Sequence, residues 1–212
     1  MLVRDVMQPH VVTVTPQTTL SEAVRLTRQR GIRHLPVLEG GELVGIVSDR
    51  DIKRAMASPA TSLEAHELTS LLDRLTMAEI MTRPVMTVAP PVPVEEAARV
   101  MVREKISALP VTEEGRLVGI VTETDVLELF VKAMGAGEPS SRLDVVLGER
   151  RSALAEVVRV VEEAGVLIAS IMTLVSRAGL KEAVIRVATI NPSPAVKALE
   201  ARGYAVRQPW RG

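Results

Sequence analysis

Two short segments carry the residue types best suited to chemistry in this 212-residue chain: Ser48-x-x-Asp51 and Thr122-x-x-Asp125. In each, a β-branched run ends at the hydroxyl residue and a helical pattern begins. Free N–H groups and the positive dipole end at a helix N-terminus suit a phosphate. A carboxylate one turn on can accept both hydroxyls of a ribose, which donate as a pair. The same spacing is also a capping box, which ties off a first helical turn and needs no ligand. Residue types alone leave both readings open. Other chemistry has less to stand on. With zero Cys, thiol nucleophiles and thiolate-bound zinc are excluded. His10 and His66 are isolated, and no His/Asp/Glu group has metal-ligand spacing. Gly135-x-Gly137 follows a helical pattern and reads as a helix stop, and neither a Walker sequence nor G-x-S-x-G occurs. The chain is expected not to be an enzyme and to hold no metal.

The elements that position these segments come in two copies. Shifted by 74 positions, residues 3–52 lie over 77–126 without a gap, and twenty of the fifty pairs are identical. That density marks residues 1–134 as a tandem pair. Met7 falls on Met81 and is expected to plug the core, as is its counterpart. Leu35-Pro36-Val37 falls on Leu109-Pro110-Val111, and Leu43–Val47 on Leu117–Val121. Each unit reads as β-α-β-β-α. Val11–Val14 predicts a short strand closed by Pro16. Thr19-x-x-Glu22 predicts a capped helix that stops at Gly31. Leu35–Leu38 and Leu43–Val47 predict a hairpin about Gly40-Gly41, and a second helix is expected over 49–57. One such unit has a thin aliphatic core, so two are expected to pack together.

The order I-x-x-L-P-V, a short glycine turn and L-V-G-I-V-[ST]-x-x-D, present twice, resembles a tandem cystathionine-β-synthase (CBS) domain pair. The resemblance implies clefts between the repeats that bind an adenine nucleotide (AMP, ADP or ATP), with S-adenosylmethionine as a further candidate. The residues it points to are Thr15, Ile32, Arg33, His34, Pro36, Ser48, Arg50 and Asp51 in the first repeat. In the second they are Ala89, Ile106, Pro110, Thr122 and Asp125. Thr15 and Ala89 are expected to offer backbone contacts to adenine. Arg33 and His34, with Arg50 and Lys53, are expected to hold phosphates. The second repeat has Ser107-Ala108 in place of Arg33-His34, so the half-sites are expected to be unequal. The bland alternative is an exposed Arg33 and a packed His34 ring.

Residues 135–141 are rich in Gly, Pro and Ser and read as a linker. Beyond them the patterns predict strand 143–147, helix 152–164, strands 166–175 and 182–189 with a turn about Ala178-Gly179, a helix from Asn191 to Arg202, and a last strand over 204–207. The order β-α-β-β-α-β is ferredoxin-like. With the run Glu149–Val157 it resembles an ACT domain, although Arg151-Ser152 stands where that family has Pro-Gly. The fold class expected for the whole chain is α+β. The expected boundaries are 1–58 and 77–134 for the repeats, 59–76 for a helical connector, and 142–212 for the ACT-like domain. A CBS pair followed by an ACT-like domain resembles the acetoin-utilisation accessory protein family.

Composition limits the partners. Hydrophobic residues make up 47% and charged residues 25%, the balance of a chain with a packed core. Lys+Arg and Asp+Glu are 26 each, so no global field draws the chain to nucleic acid or anionic lipid. One Phe, one Trp and one Tyr give no aromatic platform for bases. No apolar run reaches the length of a membrane span, and the first ten residues do not read as a secretory leader, so a cytoplasmic location is expected. The expectation for function is a regulatory protein that senses a small-molecule effector and relays its state to the ACT-like module or a partner. The rivals are a detached regulatory subunit of a metabolic enzyme and a transcription-associated regulator. Apolar Leu68, Leu71, Leu72 and Leu75, together with the sheet edge of an ACT-like domain, lead to the expectation of a homodimer.

Overall fold

The computed structural model describes residues 1–57, 74–176 and 179–208. Its two compact units are Met1–Val126 and Leu127–Gly212. The expected connector helix with Leu63, Leu68, Leu71 and Leu72, and also His66 and Ala178, lie outside the described residues.

In the first unit, Thr19 and Glu22 form the reciprocal cap, with Glu22 N–H on the Thr19 hydroxyl at 3.3 Å and Thr19 N–H on the Glu22 carboxylate at 3.0 Å. Helix α1 (Leu20–Arg30) follows and ends at Gly31, whose φ of 64° suits a left-handed cap. Strands β1 (His34–Glu39) and β2 (Glu42–Ser48) pair antiparallel, and α2 (Asp49–Ala57) leaves directly from the end of β2. The second repeat has the same order: the short α3 (Met77–Ile80), then α4 (Val94–Glu104), β3 (Ala108–Glu113), β4 (Arg116–Thr122) and α5 (Glu123–Ala133). Each repeat has an aliphatic core. Leu20, Ala23, Leu35, Val37 and Val47 pack in one, and Ala97, Met101, Leu109, Val111 and Val121 in the other.

The expected strand over 11–14 does not form a ladder. Only Val14 bridges, parallel to Val37, and Val88 does the same with Val111. The chain turns at once after Val14: Thr18 N–H donates to the Thr15 carbonyl at 3.1 Å and Thr15 N–H to Thr18 Oγ1 at 3.0 Å. The turn stops the ladder from continuing past Val14.

The repeats exchange their leading segments. Gln8 bridges Ile120 and Leu2 bridges Pro93, while Thr82 bridges Ile46 and Thr76 bridges Thr19. Val3 is therefore fully buried in the core of the second repeat, and Met77 in that of the first. Met7 and Met81, expected to plug the core, are partly buried and pack against it, each on the core of the other repeat. This accounts for the glycine inside L-V-G-I-V. A Cβ at Gly119 would lie 2.6 Å from Met7 Sδ, and one at Gly45 would lie 2.8 Å from Met81 Cγ. Carbon cannot approach that closely, so the strand has a bare backbone where the methionine of the other repeat crosses.

The second unit has strands β5 (Ser141–Val146), β6 (Ile168–Val175), β7 (Lys181–Val187) and β8 (Val206–Arg207), with α6 (Ala153–Glu163) and α7 (Ser193–Ala201). The sheet order is β6-β7-β5-β8, with every neighbour antiparallel. Leu143, Val145, Ala183, Ile185 and Val187 face Val157, Val161, Ala195 and Leu199 of the helices. Buried Tyr204 ties the last turn down, donating to Glu156 Oε2 at 2.8 Å beneath the Arg150 guanidinium.

Candidate functional site

Ser48 closes β2 and Asp51 lies in the first turn of α2, so strand end and helix start share one hydrogen-bonded corner. Ser48 N–H and Ser48 Oγ donate to Asp51 Oδ2 at 2.9 and 2.6 Å, and Asp51 N–H returns to Ser48 Oγ at 3.3 Å. The capping box is therefore formed, yet it uses one carboxylate oxygen. Among the described residues Oδ1 of Asp51 has no partner, and Asp51 lines a cavity of about 490 Å³, in the range of small-molecule sites, ~300–1,000 Å³.

The cavity lies between the repeats. The first contributes His34, Ile46, Ser48, Arg50, Asp51 and Arg54, and the second contributes the stretch 82–86 together with Lys105, Ile106, Ser107 and Pro110. Ile46, Val85, Met86, Ile106 and Pro110 supply apolar surface, Arg50, Arg54, Arg83 and Lys105 positive charge, and Asp49, Asp51 and Glu104 negative charge. Such a lining fits a flat apolar ring with a polar, anionic tail. The His34 ring contacts Ser107 Oγ at 2.8 Å across the repeats.

Burial holds the His34 imidazole below its ordinary value of 6.5, with the Arg33 charge adding to this and Asp49 and Asp51 opposing it. Its folded pKa lies below the unfolded one, so the stability it contributes is present above about pH 6.5 and is lost as pH falls through the folded value. Guanidinium denaturation at about pH 7.5 and about pH 5 should show a steeper loss for the wild type than for His34→Gln. Equal losses would mean that the ring is not held neutral.

The corresponding corner of the second repeat is built alike but closed. Thr122 N–H and Oγ1 donate to Asp125 Oδ2 at 2.7 and 2.6 Å. Here Oδ1 is taken as well, by Gln8 Nε2 at 3.0 Å, and Arg33 Nη2 donates to Thr124 Oγ1 at 2.7 Å. The residue of the other repeat that corresponds to Gln8 is Thr82, which lines the open cavity.

Of the residues singled out from sequence, the cavity brings together His34, Ser48, Arg50, Asp51, Ile106 and Pro110. Thr122 and Asp125 form the closed corner. Ile32, Arg33 and Lys53 line a separate depression, where Lys53 is paired with Asp49 at 2.9 Å. Arg33 and His34 are adjacent in the chain, but Arg33 lies in the bend before β1 and His34 opens the strand, and the two line different depressions. Thr15 is exposed beside Thr13 and Thr18 in a further depression, and Ala89 is exposed in the matching turn. Pro36 is buried opposite Ile46. Arg54, Thr82, Arg83, Met86 and Lys105 were not singled out. The 74-residue shift held one signal, Lys105 standing over the helix-stopping Gly31.

Among the described residues no helix is long and apolar enough to cross a membrane. The CBS domain family matches residues 3–58 and 77–132. A CBS domain-containing protein of Dictyostelium discoideum is 33% identical over 142 residues, 66% of this chain and 98% of that protein. The inosine-5'-monophosphate dehydrogenase of Korarchaeum cryptofilum is 43% identical over 117 residues. The match covers 55% of this chain but 21% of the dehydrogenase. Among solved structures, the CBS domain pair of protein MJ0100 in complex with 5'-methylthioadenosine and S-adenosyl-L-methionine superposes with a TM-score of 0.54 at 33% identity, over 62% of this chain and 97% of that one. CBSX2 in complex with AMP gives 0.53 at 27%, over 62% and 97%. An acetoin utilization protein from Vibrio cholerae gives 0.54 at 30%, over 65% and 95%.

Proposed function

The chain belongs to the CBS domain family, and from that premise we propose that it is a regulatory, non-catalytic protein that binds one adenine ligand in the cavity beside Asp51. The observation that carries this is the Asp51 carboxylate, capped through Oδ2, with no partner on Oδ1 among the described residues, in the lining of a cavity that also holds apolar side chains and four cationic ones. In this reading the ribose hydroxyls bond Asp51, the ring lies against Ile46, Ile106 and Met86, and any phosphate lies toward the rim. The MJ0100 and CBSX2 pairs, which hold adenine compounds, support it. Arg33 and Lys53, outside this cavity, then have no part in phosphate binding.

The remaining parts of the proposal concern the whole chain. Residues 142–212 form an ACT-like domain, supported by the element order β-α-β-β-α-β, and the ligand state passes to that domain or to a partner. For this to regulate anything, the ligand must bind two arrangements with different affinity. A homodimer in the cytoplasm is the form in which the protein is proposed to act. Similarity to a dehydrogenase favours a second reading, a detached regulatory subunit of a metabolic enzyme; copurification of one enzyme with the tagged chain would support it. The first repeat pair, 1–134, carries a net charge of about −3 and residues 142–212 about +4, a poor footprint for a transcription regulator.

Isothermal calorimetry with AMP, ADP, ATP, adenosine and S-adenosylmethionine tests the central claim. One site per chain with micromolar to sub-millimolar affinity is expected for at least one nucleotide. Absence of binding by every adenine compound would overturn the reading.

A further inference from the structure

The 74-residue shift gives each residue of the open cavity a counterpart in the other repeat, an internal reference for what the fold alone requires. Five cavity residues are basic or carry an imidazole: His34, Arg50, Arg54, Arg83 and Lys105. Their counterparts are Ala108, Thr124, Glu128, Pro9 and Gly31, none of them basic. The fold is satisfied without positive charge at every one of these positions. Of the carboxylates in the lining, Asp49 pairs with Lys53 at 2.9 Å and Glu104 with Arg103 at 2.6 Å, while Asp51 is capped through Oδ2 alone.

Lys105 is the sharpest of the five. It ends α4 with φ 57° and its N–H on the Met101 carbonyl, as Gly31 ends α1 with φ 64° and its N–H on the Thr27 carbonyl. Left-handed backbone is free for glycine and strained for lysine, and strain retained at a cavity rim points to a use there. A cation also suits a helix C-terminus, but that role would be visible only in stability. Arg83 reaches the cavity from the exchanged segment, two residues from Met81, where the other repeat has Pro9.

We propose that Arg83 and Lys105 are specificity-determining residues that hold the phosphate of an anionic adenine nucleotide and disfavour the sulfonium cation of S-adenosylmethionine. This rests on the adenine-ligand reading above and adds the charge of the ligand. Like charge at close range costs affinity, and opposite charge both steers and holds.

Calorimetric titration of wild type, Lys105→Gly and Arg83→Ala with AMP, adenosine and S-adenosylmethionine tests it. The wild type should bind AMP about tenfold or more tighter than S-adenosylmethionine. Each variant should weaken AMP by roughly 3- to 10-fold and leave adenosine unchanged. Lys105→Gly should melt no lower than wild type, because glycine is the residue that the same turn uses in the first repeat. S-adenosylmethionine bound as tightly as AMP by the wild type, or adenosine weakened as much as AMP in the variants, would overturn the assignment while leaving an adenine site in place. No binding of any of the three by the wild type would overturn the adenine reading and this inference together.

Discussion

Asp51→Ala is expected to weaken adenine-nucleotide binding by about 10- to 100-fold, and Asp125→Ala to change it by less than about threefold. A charge-assisted hydrogen bond to a ligand hydroxyl is worth roughly 1.5–3 kcal/mol, and about 1.4 kcal/mol is a factor of ten. Asp51 has an oxygen to offer, whereas both oxygens of Asp125 are occupied within the protein, one by the Thr122 cap and one by Gln8. Both variants lose a cap worth about 1 kcal/mol of helix stability, and Asp125→Ala also loses the Gln8 bond, so its thermal melting should fall at least as far as that of Asp51→Ala. Affinity should separate them. Asp51→Asn, which keeps an acceptor for the cap, should retain the fold and still lose most of the affinity, since a neutral amide accepts less strongly than a carboxylate. If Asp51→Ala binds every adenine nucleotide like wild type, the corner is a helix cap and nothing more.

The largest effect on stability is expected from Val3→Asp, which should cost on the order of 3–5 kcal/mol by leaving a buried charge unpaired. Stabilities of single domains run to roughly 5–15 kcal/mol, so this is enough to unfold a marginal one. Val3 is fully buried among Ala97, Met101, Leu109, Val111 and Val121, and its N–H donates to the Val92 carbonyl at 2.8 Å. Its neighbour Arg4 is exposed, so Arg4→Asp should stay within about ±0.5 kcal/mol. Guanidinium denaturation of the two variants makes the comparison. A Val3→Asp protein as stable as Arg4→Asp would show that the leading segment does not belong to the core of the second repeat.

Sequence by itself determined the elements whose causes are local. The cap at Thr19 and Glu22, the stop at Gly31, both hairpins and the strand-to-helix corners at Ser48 and Thr122 follow from residue type, spacing and period. Repetition doubled the signal for the hairpins and corners but not for the cap and the stop, where the second repeat has Pro93 and Lys105. The β-α-β-β-α-β order of the second unit was legible for the same reason. Tertiary structure decided what depends on residues far apart in the chain. The exchange of leading segments places Met7 on Gly119 and Met81 on Gly45, and no local pattern says which repeat a segment will cover. That exchange brings Thr82 and Arg83 to the open cavity and Gln8 to the closed corner. Two corners with the same motif thereby acquire different chemistry: among the described residues Oδ1 of Asp51 has no partner, whereas that of Asp125 is bonded by a residue 117 positions away. The same holds for Arg33 and His34, adjacent in sequence but divided between the bend before β1 and the strand itself, one bonded to Thr124 and the other lining the cavity.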